Sequence, residues 1–214
     1  MIYIIKSWKE KVIIINCIFC NLEKNKIENT ILDEKNHFYI LPTVGSLVDG
    51  YILVVSKRHI NSMSELTKNE MDEYNFIIEK YRNIFRDIYG KYPIVFEHGS
   101  PVSDNSIRAN SVIHAHSHIV NHAYLDEPKI IKRLNFKPIQ RIEDIKSNEN
   151  YIMYINNNNF KYVTYNFEPI SQLMRKLIAK DLKYEDKFDW KKEKFMDNII
   201  KTILKVKEYN EKRK

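Results

Sequence analysis

Residues 111–120 read Ser-Val-Ile-His-Ala-His-Ser-His-Ile-Val, and three of the chain's seven histidines fall within them, at 114, 116 and 118. The flanking Val112, Ile113, Ile119 and Val120 are good strand formers. A strand repeats its facing every two residues, so the three imidazoles share one side of a sheet and Ser117 points to the other. Residues four apart on a strand are separated by roughly 13 Å at about 3.3 Å per residue. Nitrogens bound to one zinc ion at about 2.1 Å lie only about 3.4 Å apart. A neighbouring pair of these histidines therefore fits one metal, but the whole row does not. The row suits something longer, such as a phosphate chain, with each ring doing a different job. The plainer alternative is a polar sheet face.

Working outward, 214 residues with 43% hydrophobic content allow one good core and no second large domain. The net charge of +7 favours polyanionic ligands, from nucleotides to nucleic acid. Two neighbouring cysteines rule out a disulfide framework. The opening MIYIIKSWKEKVIIIN is apolar but interrupted by Lys6, Lys9, Glu10 and Lys11. It reads as neither a signal peptide nor a membrane span, so a cytoplasmic protein is expected.

Upstream of the histidines, Lys11 to Asn16 is expected to form a strand leading into Cys17-Ile18-Phe19-Cys20. C-x-x-C is half of a zinc site, a redox pair or two core residues, and His59 and His114 are available as the missing donors. Two strands are expected at 38–41 and 50–55, joined by a loop through Gly45 to Asp49. A helix is expected over 64–89, with Thr67 and Glu70 as a capping box and Gly90 as its C-terminal cap. Its stripe Met71, Tyr74, Ile77, Ile78, Tyr81, Phe85 and Ile88 reads as core. YPIVFEH at 92–98 is a strand; Glu97 and His98 either line a site or fill the core. Downstream, 151–155 and 160–165 form a hairpin around an asparagine-rich turn. Ser171 is expected to cap a helix running to Leu182, whose basic start at Gln172, Arg175 and Lys176 reads as a solvated face, with phosphate contact as the alternative. Residues 190–214 read as a basic amphipathic helix.

The alternation H-A-H-S-H-I-V resembles the signature of the histidine-triad (HIT) superfamily of nucleotide hydrolases and transferases. The segment FYILPTVGSLVDGYILVVSKRH resembles that family's two strands closing on a Pro-Lys-x-His turn, with Ser56 where proline is frequent. The resemblance covers roughly residues 12 to 122. It implies an α+β fold, with a HIT-like antiparallel sheet and one main helix, followed by a C-terminal hairpin and helical extension. The expected division is 12–122 as the catalytic domain and 123–214 as an extension of a hairpin and two helices packed on it.

Zinc-bearing bacterial members of this family bind the ion through a C-x-x-C, the turn histidine and the first triad histidine. Carried over, the metal ligands are Cys17, Cys20, His59 and His114, around a structural Zn2+. The resemblance further implies that His116 attacks an α-phosphorus to give a nucleotidyl-histidine, that His118 binds a phosphate oxygen or orients His116, and that Ser111 serves the leaving group. Tyr39 and Leu41 would line the base and ribose, while Asn110 and Arg108 would face phosphate. Histidine rather than glutamine at 118 favours hydrolase over transferase. The expected substrates are nucleoside phosphoramidates, dinucleoside polyphosphates or related conjugates, and the expected assembly is a homodimer. Two other readings stay open: a nucleotide-binding regulator with little turnover, and a DNA- or RNA-end-processing relative. The absence of cysteine beyond Cys20 weighs against a nucleic-acid role, though lysine-rich tails bind nucleic acid non-specifically.

Overall fold

The computed structural model describes residues 4–5, 13–14, 17–100, 112–124, 126–165, 167–168 and 170–213. Strands β1 (Ile4–Ile5) and β2 (Ile13–Ile14) pair as a two-stranded ribbon. The other strands are β3 (Asp33–Glu34), β4 (Phe38–Pro42), β5 (Tyr51–Ser56), β6 (Ile94–Gly99), β7 (His116–Val120), β8 (Lys137–Ile139), β9 (Tyr151–Ile155) and β10 (Lys161–Thr164). They form one eight-stranded sheet in the order β3-β4-β5-β7-β6-β9-β10-β8, antiparallel throughout. The expected hairpin is present as β9 and β10, and β9 pairs with β6, so the later strands continue the same sheet.

The histidine strand β7 is internal, bonded to β5 on one side and β6 on the other. Leu53 stands opposite His118, Val55 opposite His116, and Phe96 opposite His118 from the other side. Because pleating alternates, Leu41, Leu53, His118 and Phe96 make one row across a single face. Ile40, Val54, Ser117 and Val95 belong to the opposite face.

That opposite face is covered by α1 (Lys68–Tyr89). Tyr74, Ile77, Tyr81 and Phe85 of its apolar stripe are fully buried in the core with Ile52, Val54 and Ile119. Burial contributes about 1.5–3 kcal/mol for an apolar side chain such as Ile77 or Phe85. The Thr67–Glu70 capping box and the left-handed Gly90 bound the helix as expected. Its start is later than expected, because Met63–Glu65 forms a separate 3-10 turn capped by Ser62. Ser117 Oγ lies 2.6 Å from the Tyr74 hydroxyl, as its outward position on the strand requires.

Part of the histidine face is covered by the C-terminal segment. There α3 (Leu173–Asp181) buries Leu173, Met174 and Ile178 against Tyr51, Phe96, Ile152 and Tyr154. Its N-cap is Gln172 in the left-handed region, not Ser171. Helix α2 (Glu127–Arg133) closes the adjoining corner, where Tyr154 and Asn156 donate to Glu127. The expected C-terminal helix is present as α4 (Met196–Glu211), beginning six residues after Trp190, and Ile199, Ile203 and Val206 are buried. Both helices pin the loop between β4 and β5. Arg175 donates to the Gly45 carbonyl at 2.6 Å, Asn198 to the Ser46 carbonyl at 2.8 Å, and Gly50 N–H to Thr202 Oγ1 at 2.9 Å. Gly45 has φ +72°, and a Cβ there would lie 2.6 Å from Trp190 Cβ, so only glycine admits this approach. Among the described residues, no helix is long and apolar enough to cross a membrane.

Candidate functional site

The C-x-x-C pair lies in a turn beside the entry to β7. Cys17 Sγ lies 3.2 Å from His114 Nδ1, Cys20 Sγ lies 3.2 Å from His59 Nδ1 and 3.6 Å from His114 Nδ1. All four donor atoms fall within 4.8 Å of one another. Donors at about 2.1 and 2.3 Å from a tetrahedral zinc ion are separated by roughly 3.4–3.8 Å, so this set fits such an ion. His114 Nε2 lies 2.6 Å from the Ser56 carbonyl, which fixes the N–H there and leaves the Nδ1 lone pair facing the sulfurs. Burial holds His114 down to about 4 and lowers His59, so both are neutral, as ligands must be. Burial and the neighbouring Cys17 push the Cys20 thiol up to about 12, the crowding a bound cation reverses. An ion held by these four donors would tie the 17–20 turn and the His59 turn to the entry of β7.

His116 and His118 belong to a different place. They line a cavity of about 460 Å³ together with Leu41, Leu53, Phe96 and His98. His116 Nδ1 lies 2.7 Å from the carbonyl of His114, two residues back. Nδ1–H therefore donates to that carbonyl, and Nε2 carries the lone pair. Burial lowers the His116 pKa, partly offset by this hydrogen bond. The His116 ring is 5.2 Å from that of Phe19 and 5.0 Å from that of His118. His118 stacks on Phe96 at 4.4 Å and 11°, and its Nδ1 lies 2.9 Å from the Tyr51 hydroxyl. Burial, then the charges of His116 and Arg175, hold His118 well below its usual value, so it is neutral.

Glu97 and His98 separate by the alternation of β6. Glu97 faces α1, where it accepts from Met63 N–H at 2.7 Å and the Tyr151 hydroxyl at 2.6 Å. His98 lines the cavity; burial and then His116 bring it down to about 4, and its Nε2 is buried without a partner among the described residues.

The opposite wall comes from Ile18, Phe19 and Leu22, the loop after β4, and the C-terminal residues Gln172, Arg175, Trp190 and Lys194. The expected solvated face of α3 is thus overturned: Arg175 is 4% exposed and inside the cavity wall. Lys176 instead lies over the Phe188 ring. Of the residues expected to bind substrate, Leu41 lines the cavity. Tyr39 is on the same face but outside the lining, under Lys57 Nζ at 4.8 Å. Arg108, Asn110 and Ser111 lie outside the described residues. The sequence reading missed Tyr51, Phe96 and Trp190. Only the period-two alternation that placed the histidines could have found Phe96, through its pairing with His118.

A family model described as scavenger mRNA decapping enzyme C-term binding matches residues 16–132. A curated Bacillus subtilis (strain 168) relative, Protein hit, is 26% identical over 111 residues, covering 49% of this chain and 70% of that protein. A solved HIT family protein from Bacillus subtilis shares 24% identity at a TM-score of 0.40, covering 49% of this chain and 72% of its own. A Zn-bound histidine triad family protein from Mycobacterium smegmatis shares 14% identity at a TM-score of 0.40, covering 52% and 78%.

Proposed function

The chain belongs to the family of scavenger mRNA decapping enzyme C-term binding proteins, within the histidine-triad superfamily, and from that premise we propose that it is a nucleotide hydrolase cleaving at an α-phosphate. Residues 12–122 supply the reacting groups in this reading, and 123–214 complete the pocket. The observation that carries it is the tautomer of His116: its Nδ1–H is tied to the His114 carbonyl at 2.7 Å, which leaves Nε2 as a nucleophile facing the cavity.

In the first step Nε2 of His116 forms a bond to the α-phosphorus and the bond to the leaving group breaks. Ser111 is the proposed proton source for that group. His118 is neutral; in this reading the Tyr51 O–H, 2.9 Å away, donates to its Nδ1, so that its Nε2 carries the hydrogen and donates to a non-bridging phosphate oxygen. Water then attacks the phosphorus of the nucleotidyl-histidine, giving the nucleoside monophosphate and free His116, and the proton released by that water restores the Ser111 hydroxyl. Leu41, Leu53, Phe19 and Leu22 offer the apolar surface for base and ribose. Cys17, Cys20, His59 and His114 hold a structural zinc ion; its part is to keep the strand entry rigid. Nucleoside phosphoramidates and dinucleoside polyphosphates are the proposed substrates.

The test is turnover of a panel of both substrate classes by the native chain and His116→Ala, with zinc content measured for each. We expect activity to vanish in the variant while about one zinc per chain remains in both. Equal turnover would remove His116 as nucleophile, and loss of zinc from the variant would show that the triad roles are misassigned.

A further inference from the structure

Arg175 is a buried cation with an unusual set of partners. Nε donates to the Phe188 carbonyl at 3.0 Å and Nη2 to the Gly45 carbonyl at 2.6 Å, both neutral acceptors. Nη1 is buried and has no partner among the described residues. No carboxylate among the described residues pairs with this guanidinium. Burying an unpaired charge costs several kcal/mol, so such groups normally meet a counter-charge. Arg82, of similar burial, differs: it donates to the Pro93 and Asn157 carbonyls and leaves no buried N–H unpaired.

The location narrows the counter-charge. Arg175 lines the cavity that holds His116 and His118. Its guanidinium lies over the Tyr51 ring at 5.5 Å, and the Tyr51 hydroxyl reaches His118 at 2.9 Å. Of the three lysines at the cavity, Lys26 is matched with Glu23 at 2.9 Å and Lys194 with Glu28 at 3.6 Å, while Lys191 lies over the Trp190 ring at 5.8 Å. The buried donor, Nη1 of Arg175, is on the His118 side of the site, where the Phe188 and Gly45 carbonyls hold the fork in one orientation.

We propose that Arg175 is a substrate-binding residue, supplied to the histidine cavity by the C-terminal segment, whose Nη1–H bonds a phosphate oxygen of the bound nucleotide beside His118. This rests on the nucleotide-hydrolase reading above and extends it. The ligand class is a nucleoside 5′-phosphate, and Arg175 discriminates it from the uncharged nucleoside.

Isothermal titration with AMP and with adenosine, on the native chain, Arg175→Met and Arg175→Lys, tests this. A charge-assisted hydrogen bond leads us to expect about a tenfold or greater loss of AMP affinity in R175M, with adenosine affinity unchanged and partial recovery in R175K. Equal AMP affinity in native and R175M, or parallel losses for AMP and adenosine, would make Arg175 a structural clamp and overturn the proposal. If the native chain binds neither compound, the nucleotide reading fails and the proposal falls with it. Should R175M not fold, the guanidinium 15N resonances of native Arg175, assigned through R175K, decide: they shift on adding AMP but not adenosine, and no AMP-specific shift overturns the proposal.

Discussion

Tyr51→Phe isolates one hydroxyl. The ring is fully buried between the sheet and α3, and phenylalanine keeps that packing. What is lost is the 2.9 Å contact of the hydroxyl to His118 Nδ1, together with its interaction with the Arg175 guanidinium. His118 cannot turn to another partner, because it is stacked on Phe96 at 4.4 Å. Deleting one member of such a pair forfeits the bond and leaves a buried ring nitrogen unpaired, for a cost of about 1–2 kcal/mol within the usual range. The same loss in the transition state lowers kcat/KM about five- to thirtyfold. The assay is hydrolysis of adenosine 5′-phosphoramidate, read beside long-range 1H–15N spectra of the imidazoles. The native spectrum should show His118 neutral with its hydrogen on Nε2, and the variant should lose that fixed tautomer. A native His118 carrying its hydrogen on Nδ1, or kcat/KM within twofold of native in the variant, would refute the reasoning.

Three further outcomes follow from the same contacts. Glu97 is 1% exposed, and burial pushes it up to about 7 from 4.5. The folded state then holds more protons than the unfolded one between those values, so this contribution is fully present below about 4.5 and is lost as pH rises to about 7, by about 3 kcal/mol. Denaturant titrations at pH 5 and pH 8 should show Glu97→Gln gaining on native across that interval; parallel curves would exclude it. Chelation of the metal, or Cys17→Ser, should release about one zinc per chain and cost several kcal/mol of stability, measured by zinc content and thermal midpoint. Gly45→Ala meets Arg175 Nη2 at 2.7 Å as well as Trp190 and forces alanine to φ +72°. It should lose about 2 kcal/mol or more and shift Trp190 fluorescence in a Trp8→Phe background.

The features legible in the sequence were those with a short period. The two-residue alternation put Ser117 on the face opposite His116 and His118, where Tyr74 packs, but β7 starts at His116, so His114, expected in the same row, precedes the strand. The capping box at Thr67 and the cap at Gly90 bounded α1 to within a turn. What stayed hidden depends on partners distant in the chain. Tyr51 is 67 residues from His118 and Arg175 is 130 from Gly45, and no local pattern marks either pairing. The start of α3 read as solvated because Gln172, Arg175 and Lys176 are polar; the fold splits them, turning Arg175 inward and Lys176 over Phe188. The cap was misplaced by one residue because Gln172 adopts a left-handed conformation that favours glycine or asparagine.

The pinning of the β4–β5 loop by Arg175, Asn198 and Thr202 sets a timetable for the molecule. Synthesis runs from the amino end, so both cysteines and every histidine emerge before any of those three residues. At about 5–20 residues per second, the roughly eighty residues between His118 and Thr202 take about 4–16 seconds to make. During that interval a nascent chain holds the reactive row without the wall that encloses it. Completion of the cavity is thus a late event on the ribosome, and a chain stalled before Arg175 carries the whole triad with an unfinished pocket.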